Sequence, residues 1–325
     1  MKENIIFTFD YELFLGYSSG SVEECLIYPT KELINIFKKR NVRAIFFVDT
    51  LFLIRLKEQS FISNKAKIDF QLILDQLNDI AKQHDIYLHL HPHWLDAVYH
   101  EENGIWDLSN HCRYTFEEFT SSEVYEMFSQ SLEILREVLS NPNYVSLGYR
   151  AGGWSIQPFS KFKEAFIAFG VKVDYSVIPG KMFHSTAQKF DFLTAPTNKR
   201  IYNFSECPSI EDNEGKFKEI PISVYSISPL LYFLRKNYLH IQYMLLKYFK
   251  KPKGSTVKAK ILNEKSTYSK YTFIAQIENL DIFQLFGLYY KFKKDKYIHF
   301  VSHPKLMTGF DFFSLKFILR HAKKR

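Results

Sequence analysis

The sequence predicts an α/β barrel, and three observations carry that prediction. Short apolar runs alternate with amphipathic stretches through the first half of the chain, as βαβ units do. Polar residues with reactive side chains stand where those apolar runs end: Asp10, His89 to His93, Arg150, Asp174 and His303. In (β/α) barrels the βα-loops converge on that one face and build the site there. An open doubly wound sheet also uses its carboxyl edge, but no G-x-G-x-x-G turn is present, so the barrel is preferred.

The elements follow in order. "IIFTFD" (5–10) reads as a strand ending in an acid, and "TKELINIFKKRN" (30–41) as a helix with basic residues near its end. "RAIFFVD" (43–49) is a buried-type strand that also ends in an acid. "DFQLILDQLNDIAKQH" (69–84) is helical, and "IYLHLH" (86–91) returns to strand. "SSEVYEMFSQSLEILREVL" (121–139) opens on a cap-like serine pair and carries an i, i+3, i+4, i+7 stripe. "YVSLGYRAGGW" (144–154) runs from strand into a glycine-rich turn. "SKFKEAFIAFG" (160–170) is a helix closing on glycine, and "VKVDYSVI" (171–178) a strand.

Residues 197–218 are polar and lack an apolar period, which predicts a long surface loop or insertion. The region 228–325 reads as basic and helical, with stretches over 228–254, 279–294 and 310–325. No repeat or low-complexity linker interrupts the chain, so 1–325 is read as a single domain.

Composition narrows the function. Of the 325 residues, 46% are apolar, enough for a large core. Aromatic residues reach 17%, a surplus that packs cores and also lines sugar sites. Cys25, Cys112 and Cys207 lie far apart and form no C-x-x-C pair, which argues against a disulfide framework or a zinc knuckle. The opening MKENIIFTFDYE has no signal-peptide core, and no apolar run is long enough for a membrane span. A cytoplasmic location is therefore expected. The net charge of +8 hides an asymmetry: residues 231–325 carry +15 and residues 1–230 carry −7. That distribution points to an anionic partner.

Candidate chemistry gathers at the strand ends. His89 and His93 stand four apart, a spacing with which two histidines can hold one metal ion. His91, between them, is expected to point elsewhere. Catalytic zinc takes three protein ligands plus water, and Asp10 and Glu12 offer a third ligand and a proton acceptor. Arg150 can keep a carboxylate ionised, and Gly152 and Gly153 allow a backbone N–H to approach an oxyanion. Trp94 and Trp154 are candidate walls for a sugar ring. His303, followed by Pro304, adds a second acid–base group. Each feature alone is as well explained by packing.

Taken in order, the acid pair, H-x-x-x-H, R-x-x-G, D-x-S and H-P resemble the polysaccharide deacetylases of carbohydrate esterase family 4, the NodB-homology enzymes. The five motifs run from Asp10 to His303 and cover most of the chain. The resemblance implies a distorted (β/α)₇ barrel and a divalent-metal-dependent N-deacetylase, with Zn²⁺ the expected ion. It is nearest the branch associated with surface-polysaccharide biosynthesis. Carried over by position, it makes Asp10 the catalytic base, held by Arg150. It makes Glu12, His89 and His93 the metal ligands and His303 the catalytic acid, with Asp174 orienting it. Gly153 and Trp154 would supply an oxyanion donor. Two departures are visible: Tyr11 stands where most members have a second aspartate, so Glu12 takes the ligand's place, and Gly152 replaces a usual proline.

The expected substrate is a nucleotide- or lipid-linked amino sugar carrying acetyl or formyl. The basic C-terminal region is expected either to hold a diphosphate or to rest on the inner face of a membrane. A catalytically silent glycan-binding or scaffold protein on the same barrel is the rival reading. Nucleic-acid binding is not expected, because no RRM, KH or helix-turn-helix signature accompanies the charge.

Overall fold

The computed structural model describes residues 5–109, 113–185, 188–235, 238, 254 and 271–322, with side chains as far as 320. Seven strands form a wall: β1 (Ile5–Tyr11), β2 (Ile45–Asp49), β3 (Asp85–Leu90), β4 (Gly148–Ala151), β5 (Val173–Asp174), β6 (Phe217–Glu219) and β7 (Ile298–Ser302). They pair in parallel in the order β6-β5-β4-β3-β2-β1-β7.

The gap between β6 and β7 is closed by the chain that leaves β6. On one side Ile220 N–H bonds to Asp174 O (3.0 Å) and Ile222 N–H to Val177 O (2.8 Å). On the other side Ser223 N–H bonds to His299 O (3.1 Å). His299 donates in turn from its backbone N to Ser223 Oγ (2.9 Å) and from Nδ1 to Pro221 O (3.0 Å). The result is a distorted seven-stranded β/α barrel, closed by irregular segments rather than by a continuous ladder.

Helices cover the outside: α1 (Tyr28–Arg40), α2 (Thr50–Ser60), α3 (Asn64–Ala81), α4 (Ser121–Val138), α5 (Lys163–Phe169), α6 (Ile282–Asp295) and α7 (Gly309–Ala322). Alternation along β1 sorts its side chains. Phe7 and Phe9 stack outward on Phe37 of α1, while Thr8 and Asp10 face into the barrel. Tyr11 again faces outward, its hydroxyl donating to Gln76 Oε1 of α3 at 2.9 Å. Much of the aromatic surplus is core: Phe128, Phe159, Phe162, Phe166, Phe204 and Phe217 pack ring on ring beneath α4 and α5.

The structure differs from the sequence expectations in a few elements. Helix α2 was not anticipated, because it leaves β2 at Asp49 with no Gly, Pro or Asn between them and continues an apolar run. Helix α3 begins at Asn64, five residues before the expected start, where Ser63 caps it by accepting from Ala66 N–H. Helix α4 is capped by Thr120 rather than by the serine pair, in a reciprocal box with Glu123. The 197–218 segment holds a short strand, Tyr202–Phe204, antiparallel to β6. The basic helix expected over 228–254 is seen over residues 229–235, and most of the rest lies outside the described residues, as does Cys112. Among the described residues, no helix is long and apolar enough to cross a membrane.

Candidate metal centre and catalytic residues

Strand register sets the rim. Asp49 pairs with His89 across β2 and β3, His89 with Arg150 across β3 and β4, and Phe9 with Ser302 across β1 and β7. The residues at or just beyond these strand ends therefore meet at one mouth of the barrel. Asp10 and Glu12 are two apart on β1 and its extension, so both turn inward around the outward Tyr11.

The same period of two acts on β3. His89 and His91 share a face, with ring centroids 4.6 Å apart and planes at 89°. His89 Nε2 and His91 Nδ1 each lie 3.2 Å from Glu12 Oε2. Glu12, His89 and His91 are all buried and close enough together to hold one metal ion. Gly152 makes room for them: a Cβ there would lie 2.4 Å from Leu90 O and 2.5 Å from His91 Cδ2.

The trio differs from the expected histidine pair, with His91 in it and the His93 ring centroid 5.6 Å from that of His91. His93 lies outside the trio, because Pro92 opens a 3₁₀ turn after the strand. Its ring packs edge-on against Tyr114 with centroids 4.4 Å apart. The four-residue spacing suits a helix, whereas the chain here is still extended and obeys a period of two.

The donor chemistry fits a cation. His89 Nδ1 lies 2.7 Å from Arg150 O, a carbonyl that can only accept, so Nδ1 carries the proton. The Nε2 lone pair then faces the Glu12 carboxylate across 3.2 Å. Two acceptors so placed need a shared positive charge. Without metal it is a proton: burial lowers the His89 pKa, but Asp10 and Glu12 override it and raise it to about 8. A divalent ion meets the same need.

Arg150, fully buried, is bonded to Asp10 Oδ1 and donates to Thr8 Oγ1 (2.8 Å) and Tyr175 O (3.1 Å). Its guanidinium lies 4.2 Å over the Phe47 ring. Burial would raise the Asp10 carboxyl, yet Arg150, His89 and His303 hold it below its ordinary value. Glu12 is likewise desolvated, but Lys305, His91 and His89 hold it well below the usual carboxylate range. Lys305 Nζ donates to Glu12 Oε1 (2.8 Å) and Leu13 O (2.6 Å).

His303 Nε2 points at both acids, 3.6 Å from Asp10 Oδ2 and 3.7 Å from Glu12 Oε1. Its Nδ1 is 2.8 Å from Glu278 Oε1. Burial lowers its pKa, but Glu278, Asp10 and Glu12 together raise it. The expected partner, Asp174, is elsewhere. It accepts from Ser176 Oγ (2.7 Å) and neighbours Glu219 on the barrel wall, and the carboxylate beside His303 Nδ1 is that of Glu278.

Trp94 is also reassigned. It is fully buried, donates from Nε1 to Asp49 Oδ2 (2.6 Å) and packs on Phe52 and Trp106, so it cannot be a sugar-facing wall. Trp154 is partly buried, edge-on to Phe190. It follows Gly153, and both hold positive φ (58° and 57°) in the turn after β4.

Sequence reasoning missed Glu278 and Lys305 as partners of these residues, and Asp49 as a neighbour of His91. Lys305 lies two residues past His303, and Asp49 ends a strand as Asp10 nearly does, so both carried a signal. Glu278 follows no strand that the sequence announces.

No protein-family profile and no curated protein matches the chain. Among solved structures it is similar to one described as a polysaccharide deacetylase from Mycobacterium smegmatis, with 14% identity and a TM-score of 0.48 over 100% of this chain and 86% of that one. It is also similar to Puue allantoinase, with 9% identity and a TM-score of 0.45 over 99% of this chain and 84% of that one.

Proposed function

We propose that the chain is a divalent-metal-dependent amidohydrolase that removes acetyl or formyl from an amino sugar linked to a nucleotide or lipid, in cell-surface polysaccharide biosynthesis. One observation carries the reading: the buried trio Glu12, His89 and His91 stands between an ionised Asp10 and a His303 whose pKa is raised. The sugar class rests on the motif order from Asp10 to His303.

A divalent ion held by Glu12, His89 and His91, with Zn²⁺ the expected one, supplies Lewis acidity toward water and the amide carbonyl. Asp10, kept unprotonated and fixed by Arg150, accepts the proton of the attacking water. His303, protonated and oriented by Glu278, gives its proton to the departing amine. A backbone N–H of Gly153 or Trp154, in the glycine turn after β4, would serve as the oxyanion donor. An oxyanion donor of that kind is worth about 3–4 kcal/mol of barrier.

The basic third of the chain suits a substrate or surface that carries phosphate. Along α6, Ile282, Phe286, Tyr289 and Tyr290 are exposed, followed by exposed Lys293 and Lys294. This is the composition of a helix that rests on an anionic bilayer. These features support a reading of peripheral, salt-sensitive docking on the inner membrane face, and co-sedimentation with anionic vesicles at low and high salt tests it.

The reaction itself is tested by incubating metal-loaded protein with nucleotide- and lipid-linked N-acetyl and N-formyl amino sugars and weighing the products by mass spectrometry. Loss of the acyl mass, absent in Asp10→Asn, supports the assignment. Stoichiometric metal with no turnover on any of them favours a silent glycan-binding barrel.

A further inference from the structure

Strand β2 ends at Asp49, and α2 begins at the next residue. An aspartate in that place normally caps the helix by accepting a backbone N–H from its first turn. Asp49 makes no such bond. It is also fully buried, where an aspartate is rarely found without a specific partner. The ordinary structural reason for an acid here is therefore missing.

Its contacts lead to the trio instead. Oδ2 accepts the Trp94 indole N–H at 2.6 Å and lies 3.2 Å from His91 Nδ1. The same nitrogen is 3.2 Å from Glu12 Oε2, so the His91 ring stands between two carboxylates. The second oxygen, Oδ1, is buried with no hydrogen-bond partner among the described residues. A buried carboxylate oxygen left unsatisfied is costly, and a nearby cation removes that cost.

We propose that Asp49 supports the metal centre: held by Trp94, its carboxylate stands against His91 and adds negative charge beside the site of Glu12, His89 and His91 for a divalent cation. This rests on the metal reading given above. It also explains why a tryptophan is buried at position 94: its N–H fixes Oδ2 and leaves Oδ1 available.

The test is direct titration of metal-free protein with Zn²⁺ in competition with a chromophoric chelator, for the wild type, Asp49→Asn and Trp94→Phe. Asp49→Asn should bind Zn²⁺ roughly 10–100-fold more weakly, the scale seen when a residue supporting a metal ligand is lost. Without metal it should melt no lower than the wild type, because a buried unsatisfied anion has been removed. Trp94→Phe keeps the packing and loses only the N–H, so it should bind more weakly by a smaller factor. Undiminished affinity in Asp49→Asn, with or without a lower melting temperature, overturns the inference while leaving the metal reading intact. If Asp49→Asn does not fold, Trp94→Phe decides: weaker binding supports the inference and unchanged binding overturns it. A wild-type chain that binds no divalent ion overturns the metal reading and this inference together.

Discussion

At the mouth of the barrel Asp10 and Glu12 face cations, whereas on its wall Asp174 and Glu219 face each other. All four side chains are buried, and desolvation pushes all four carboxyls up. At the mouth Arg150 and Lys305 override that push, and both acids end below their ordinary values. On the wall burial prevails, joined at Glu219 by the nearby Asp174, so the Asp174 carboxyl ends raised and that of Glu219 well above its ordinary value. The histidines of β7 and its extension repeat the contrast. His303 is raised by Glu278 and the two mouth acids, while burial and Arg150 depress His299 to about 3. Residue type alone does not separate a reactive group from a structural one in this barrel. The charge of the nearest buried neighbour does.

The largest effect should come from breaking the mouth at its shared ligand. Glu12→Gln removes the oxygen that faces both His89 and His91, and should abolish metal binding and turnover together. Equilibrium dialysis and a product assay check both. Asp10→Asn should separate the two. Turnover should fall by roughly 10²–10⁴-fold, the scale of a lost general base, with the metal retained. Loss of metal in Asp10→Asn would exchange the roles of the two acids.

The wall pair should behave in the opposite way. Asp174→Asn should leave turnover nearly unchanged, because that carboxylate serves Ser176 and Glu219 rather than His303. Its consequence is a pH dependence of stability. Glu219 has a folded pKa raised well above its unfolded value near 4.5. It therefore contributes stability that is present at low pH and is lost as pH rises through the folded value. In Glu219→Gln the decline between pH 5 and pH 8 should be shallower than in the wild type, as read from urea unfolding.

The smallest effect is at His299. Its pKa is depressed from 6.5 to about 3, so below pH 6.5 the unfolded chain takes up a proton that the folded chain refuses. The contribution of His299 to stability should therefore fall as pH drops from about 6.5 toward 3, opposite in sign to that of Glu219, and it is read as the difference between the wild type and His299→Gln. Wild-type and His299→Gln curves that run parallel in that range would mean that His299 is not held neutral.

Much of this arrangement could be read from the sequence, and the limits have physical causes. The apolar runs gave the wall, and the position of acids and histidines at their ends gave the mouth, because a parallel barrel collects its strand ends on one face. Asp10, Glu12, His89, Arg150 and His303 are all found there. The expected histidine pair applied a four-residue spacing to a segment that is still extended. In a strand the second residue along shares a face, so His91 joins His89, and Pro92 then turns His93 away. Partners that meet only through closure of the barrel were out of reach. Lys305 reaches Glu12 across 293 residues, and Glu278 reaches His303 across 25 residues that hold α6 and β7, and no local pattern encodes either contact.

The central claim is that His89 and His91, with Glu12, hold the metal. The most direct measurement is the metal content of purified wild-type, His91→Ala and His93→Ala proteins, reloaded with Zn²⁺ and freed of excess by dialysis. The account predicts one tightly held ion per chain in the wild type, an equal amount in His93→Ala and none in His91→Ala. A full complement in His91→Ala, with loss in His93→Ala, would contradict it.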